Sequence, residues 1–212
     1  MPRPRQVSDD QILATMRACV LEQGPSVSLD AVASRLGVTG PALLRRFGSR
    51  EDLLVRALMP PDEVPWISQL EQGPGPEPLE TQLEALLGRV VEFLDAALPG
   101  LAALRESGIC ADRIAKTKPH AARGVRALTR WLAEARDRGL AAGHDHELET
   151  AATAMLGAVQ SHILMAHLFK SAWSTRSQRE YVRDLAGLFA RALAPAAEKR
   201  RHVPTSPSTE AQ

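Results

Sequence analysis

The sequence predicts an all-α protein, a small N-terminal three-helix unit followed by a larger helical domain. Three observations carry that expectation. Aromatic residues are only 4% of 212 positions, while Ala, Leu, Arg and Glu, all strong helix formers, abound. No segment sustains the polar/apolar alternation of a half-buried strand, and β-branched pairs such as Val90-Val91 sit inside helical periods. Apolar residues recur instead at three- and four-residue spacing between Ser or Thr starts and Gly or Pro stops.

The elements follow in order. Residues 1–7, MPRPRQV, read as a flexible basic arm, because Pro2 and Pro4 bar a helix and Arg3 and Arg5 add charge. Ser8 with Gln11 forms a capping-box signal, Asp9 and Asp10 favour the positive end of the dipole, and Gly24-Pro25 stops that helix. Ser28 opens a second helix that ends at Gly37. Thr39 opens a third, through Leu43 to Phe47, and Gly48 breaks it. Ser49 with Asp52 caps a fourth, which runs to Leu58 and halts at Pro60-Pro61. Residues 8–59 are thus one expected domain.

Six prolines (60, 61, 65, 74, 76, 78) then mark 60–78 as a Pro-rich linker. From Leu79 the helical period resumes and is expected to end near Pro99-Gly100, with a shorter helix over 101–107. Helices follow over about 120–138, 147–170 and 177–194, the loop GLAAGHDHE separating the first two. Residues 79–199 form the second expected domain, and the polar tail 200–212 reads as disordered.

Bulk quantities narrow the function classes. Lys and Arg number 26 against 25 Asp and Glu, so global charge advertises neither nucleic acid nor a membrane surface. The balance is uneven, since residues 1–58 hold eight Lys/Arg and six Asp/Glu. No uninterrupted apolar run approaches the ~20 residues of a bilayer span, and MPRPRQVSDD lacks an apolar signal region. Cys19 and Cys110 make no disulfide framework. A cytoplasmic globular protein is expected.

Residues 28–47 have the grammar of a helix-turn-helix: a short capped helix (SLDAVASRLG), a tight Gly turn, and a second capped helix (TGPALLRRF). A second helix of this kind can lie in a DNA major groove while the first braces it. The wider segment ILATMRACVLEQGPSVSLDAVASRLGVTGPALLRRFGSREDLLVRAL resembles the N-terminal domain of the tetracycline-repressor (TetR) family. The resemblance fixes Gly24, Ser28, Ala33, Gly37-Val38, Leu43, Phe47 and the Ser49–Leu53 helix start together. It implies a helix-turn-helix DNA-binding domain joined to a helical ligand-binding and dimerisation domain, without a cofactor.

Carried over position by position, the resemblance implies DNA contacts at Ser28, Thr39, Gly40, Pro41, Leu44, Arg45, Arg46 and Arg50. Three positions depart from the family's habit. Leu44 stands where Tyr is frequent, Arg46 where His is common, and Arg50 where a Lys usually meets a phosphate. Arg50 keeps the charge with a bidentate fork, and Leu44 offers an apolar surface to a thymine methyl. Arg3 and Arg5 of the arm are candidates for a minor groove.

For the second half, the resemblance implies an effector among the middle helices and pairing through the last two. Phe93, Leu104, Ile109, Trp131, Met155, His162, Met165 and Phe169 are the candidate pocket residues, which suit a largely apolar compound. Ala154, Gly157, Ala158 and Ser161 permit close helix approach, and Leu185, Leu188, Phe189 and Ala192 give an apolar stripe. Together they are the candidate homodimer interface.

Catalytic and metal readings find little. His144-Asp145-His146 lacks further ligands at matching spacing, and no metal is expected. Cys110 has no evident activating base. No nucleophile triad, phosphate loop or dinucleotide fingerprint occurs, so no enzyme is expected. The expected function is a ligand-responsive homodimeric repressor on a near-palindromic operator. A helical protein-interaction module that never meets DNA is the alternative.

Overall fold

The computed structural model describes residues 7–60, 63–109, 120–169 and 177–195. The arm 1–6, Cys110 and the tail 200–212 lie outside the described residues. Helices and connecting turns account for the described chain. They are α1 (Asp9–Gln23), α2 (Leu29–Leu36), α3 (Gly40–Phe47), α4 (Arg50–Leu58), α5 (Pro65–Leu70), α6 (Leu79–Glu106), α7 (His120–Asp137), α8 (Asp145–Phe169) and α9 (Gln178–Ala192).

The caps expected at Ser8, Ser28 and Ser49 form, whereas Thr39, expected to cap α3, makes no side-chain cap hydrogen bond. Ser8 and Gln11 complete a reciprocal capping box on α1, as do Ser177 and Glu180 on α9. Ser28 and Ser49 accept from the Ala31 and Asp52 N–H groups. Each such cap stabilises its helix by about 1 kcal/mol.

The chain divides into two compact units. One combines the described residues of 1–64 with those of 93–119, and the other those of 65–92 with those of 120–212. In the first, α1 contributes Ile12, Met16 and Cys19, α2 Val32 and Ala33, α3 Leu43 and Phe47, and α4 Leu53, Leu54 and Leu58 to one buried cluster. Ala103, Leu104 and Ile109, from the end of α6 and the turn after it, complete that cluster. In the second unit, Leu83, Leu87 and Val90 of α6, Leu128 and Leu132 of α7, Met155 and Val159 of α8, and Val182 of α9 are buried.

Four expectations change. The Pro-rich stretch 60–78 is not wholly a linker, because α5 lies within it and buries Trp66, Ile67 and Leu70. Pro65 opens that helix, where a missing N–H costs nothing. Secondly, α6 does not stop at Pro99-Gly100. It runs 28 residues to Glu106 with Pro99 inside it. Gly100 is buried there, against the carbonyl of Leu58, and Arg17 of α1 donates to the Ala96 carbonyl at 2.5 Å. Tertiary partners therefore carry the helix through a local stop signal.

Thirdly, the division at 59 and 79 shifts, since Phe93–Ile109 cluster with the N-terminal helices. Fourthly, α8 starts at Asp145, which places Asp145 and His146 on a helix instead of in a loop. That 25-residue helix is long and apolar enough to cross a membrane by length and composition. Gln160, Ser161 and His162 interrupt its apolar character, so it does not show as an uninterrupted run.

Candidate nucleic-acid interface

The turn between α2 and α3 is built by Gly37, whose φ of 66° is left-handed, with the Val38 N–H returning to the Ala33 carbonyl at 3.0 Å. This seats α3 on α2. Gly40, Leu43 and Phe47, at i, i+3 and i+7, form the buried face of α3. A Cβ at Gly40 would stand 2.5 Å from an oxygen of Asp30, the movable tip of that side chain, and 3.9 Å from the Leu29 Cβ, so the carboxylate of α2 sits at the start of α3.

The opposite face carries Pro41, Leu44 and Arg45, all exposed, beside exposed Thr39 at the N-cap. Leu44 is 39% exposed, an unusual place for a large apolar side chain on a short helix. Thr39 makes no side-chain cap hydrogen bond. Pro41 has no N–H to satisfy, and the first turn of α3 carries no acidic residue. By contrast α1, α2 and α4 each place Asp or Glu in the first turn. The first turn of α3 thus has no acid of its own, and the Asp30 carboxylate of α2, beside Gly40, is the negative charge at its positive end.

The arginines divide into three roles. Arg45 makes no ion pair or hydrogen bond among the described residues, so its five donors face solvent. Arg46 is tethered: its Nε pairs with the Asp9 carboxylate and its Nη1 donates to the Val7 carbonyl at 2.6 Å. Arg50 turns inward, its Nη2 donating to the Pro25 and Val27 carbonyls, at 3.0 Å for the latter. Its internal role is to join the start of α4 to the turn between α1 and α2. Ser28, exposed, spends its acceptor on the α2 cap.

Two braces escaped sequence reasoning. Arg35 of α2 pairs with Glu22 of α1 at 2.6 Å, and the hydrogen bond from Arg35 holds the Glu22 carboxyl below its ordinary value. The Arg56 guanidinium of α4 lies 5.8 Å from the Phe47 ring centre. Opposite charges at suitable sequence positions were visible, but their meeting across elements was not.

Residues 12–57 match the family model described as bacterial regulatory proteins, tetR family. This is a TetR-family N-terminal domain. With it, the chain is a DNA-binding transcriptional regulator. No curated protein matches the chain. Among solved structures, a TetR/AcrR-family regulator from Thermobifida fusca aligns over 86% of this chain and 96% of its own, at 21% identity and a TM-score of 0.58. A putative TetR-family regulator from Mesorhizobium loti aligns over 87% and 93%, at 15% identity and a TM-score of 0.64. The TetR-family regulator PfmR from Thermus thermophilus aligns over 86% and 98%, at 19% identity and 0.58. These likenesses are of fold, and they extend it past the TetR-family domain into the second unit.

The remaining candidates are scattered. Leu104 and Ile109 lie in the core cluster of the first unit, and Phe93, half-buried, belongs to the same unit. Trp131, Met155 and His162 are buried in the second unit, Met165 is half-buried, and Phe169 is 54% exposed. The structure therefore does not gather the eight candidate pocket residues into one unit. His162 stacks on Tyr181 with ring centres 3.9 Å apart, and burial pushes the histidine pKa down and the tyrosine pKa up. The Tyr181 hydroxyl donates to the Ala158 carbonyl at 3.2 Å.

Of the candidate interface residues, Ala154, Gly157 and Ser161 are exposed on α8, and Leu188 and Ala192 on α9. Ala158 and Phe189 are half-buried, and Leu185 is buried within its own unit.

Proposed function

We propose that the chain is a homodimeric repressor that places α3 of each subunit in successive major grooves of a near-palindromic operator. The carrying observation is the two-sided character of α3. Its inner face is committed to the core, while Thr39, Pro41, Leu44 and Arg45 are left open on the other side. In this reading Arg45 supplies the base-edge or phosphate contact, Leu44 meets thymine methyls, and Arg46 and Arg50 order the surface around them. Arg3 and Arg5 of the arm are proposed minor-groove contacts.

Dimerisation through α8 and α9 is supported by their open faces. Gly157, Ser161, Leu164 and Leu168 follow one helical stripe, with Leu164 43% and Leu168 62% exposed, and Leu188 on α9 is 55% exposed. Small residues beside leucines suit close helix packing between two copies. The operator dyad would then mirror the protein's two-fold axis.

Release by a small, mostly apolar effector completes the reading, with Trp131, Met155, His162 and Met165 as the proposed contacts. The signal has a route that does not need α4 to be long. α4 ends at Leu58, whereas α6 contributes Leu79–Glu92 to one unit and Phe93–Glu106 to the other. An effector acts here only by binding one arrangement of that helix better than another. A cytoplasmic location follows from work on chromosomal operators.

The test is a polarisation assay with duplex DNA taken from beside the gene, repeated across salt concentrations. A slope of log affinity against log salt corresponding to several phosphates supports the repressor; a slope near zero sinks the DNA reading and favours the interaction module. Sedimentation of the free protein checks the dimer.

A further inference from the structure

Two arginines of α7 stand apart from the other cations along that helix and its end. Arg123 reaches Glu71 at 4.0 Å, Arg136 pairs with Asp145 at 2.6 Å and Asp137 at 3.1 Å, and Arg138 donates to the Pro74 carbonyl. Arg126 and Arg130 are exposed and make no hydrogen bond or ion pair among the described residues. They lie one turn apart, a spacing at which like charges repel. Helix formation gains nothing from that arrangement, since Gln or Glu would serve as well.

Both side chains line a groove of about 490 Å³ between α7 and α8. Its volume falls in the range that accepts a small molecule. Val125, Ala133 and Leu148 give it an apolar wall, and Leu148 is fully buried. Two carboxylates also line it. Asp145 is taken up by Arg136, whose hydrogen bond holds its carboxyl below the usual range. Glu149 makes no ion pair among the described residues. After the Arg136–Asp145 pair is set aside, two guanidinium groups face one carboxylate, which leaves room for a single further negative charge.

We propose that the α7–α8 groove binds an amphipathic monoanion, a carboxylate carried on a short apolar body. Arg126 and Arg130 present their planar forks to the carboxylate, and Val125, Ala133 and Leu148 cover the apolar part. The Glu149 carboxylate disfavours a dianion such as a phosphate ester. This site is separate from α3 and from the candidate pocket residues, and it stands whether or not the repressor reading holds.

Octanoate titrated calorimetrically into the full chain is the probe, with octanol matching its body and acetate matching its charge. Octanoate is expected to bind saturably, and octanol and acetate each at least about tenfold more weakly. R126Q/R130Q should weaken octanoate by about tenfold or more while leaving octanol unchanged, because Gln preserves helix propensity at two exposed sites. E149Q should tighten octanoate, which tests the charge count without touching either arginine. Octanoate binding unchanged in R126Q/R130Q, or octanol binding as tightly as octanoate, overturns the proposal. So does a loss of duplex affinity in R126Q/R130Q with octanoate intact, which would make the pair a phosphate contact instead.

Discussion

Gly100 of α6 lies so close under Leu58 that a Cβ added to it would stand 2.7 Å from the Leu58 carbonyl oxygen. That contact joins the last residue of α4 to the C-terminal half of a helix whose N-terminal half belongs to the second unit. Gly100→Ala forces backbone atoms apart and is expected to destabilise the first unit by about 1–3 kcal/mol. Gly88→Ala in the same helix meets nothing within 4 Å and should gain up to about 1 kcal/mol. Urea melts of the two variants should move in opposite directions; a neutral Gly100→Ala would refute the close seat.

Arg45 and Arg50 separate binding from stability. Arg45→Ala removes a cation with no internal partner, so duplex affinity should fall while the melting midpoint stays put. Arg50→Ala leaves the Pro25 and Val27 carbonyls without their donor and should cost about 1–3 kcal/mol of stability. Finding Arg50→Ala as stable as the parent but weak on DNA would restore a phosphate role to it.

Asp9 competes for a recognition-helix cation. Its pair with Arg46 is solvent-exposed on both sides, with side chains 42% and 55% accessible, so breaking it should change stability by less than about 1 kcal/mol. Asp9→Asn frees Arg46 for a phosphate. The salt slope of duplex binding should then steepen by about 0.9. An unchanged slope would mean that Arg46 only orders the start of α1.

His162 gives stability a pH dependence of defined sign. Burial holds its folded pKa below the unfolded value of about 6.5, so the unfolded chain binds the proton more readily. Its contribution is present above pH of about 6.5 and is lost as the pH falls from there through the folded pKa. Urea midpoints measured downward from pH 7 should decline in the parent and less steeply in His162→Asn. Equal declines would assign the effect to other groups.

Most of the helices were legible because their signals are local. Ser8 with Gln11, and Ser28 and Ser49 each with its first-turn acid, mark starts that neighbouring residues suffice to complete. The face of α3 was legible for the same reason, since Leu43 and Phe47 point one way and Leu44 and Arg45 the other. What escaped depends on distant partners. Pro99-Gly100 is a stop by every local rule, and partners far away in sequence, Leu58 and Arg17 among them, carry α6 through it. Arg46 and Arg50 were read as outward cations because backbone carbonyl acceptors, those of Val7, Pro25 and Val27, leave no mark in a residue pattern.

Thr39 leaves α3 without a side-chain cap, and the helix has only eight residues. Such a helix is held by Leu43 and Phe47 from behind and by little at its own beginning. The Ala42 and Leu43 N–H groups already return to the Thr39 carbonyl, and an anion docked there would add an outside hold on that first turn. Amide exchange in Ala42–Leu44 should therefore slow on duplex binding by more than in α2, whose Ser28 cap is already in place. A phosphate seated at that start would steady the surface of Leu44 and Arg45 that meets the bases, so positioning and reading would share one short helix.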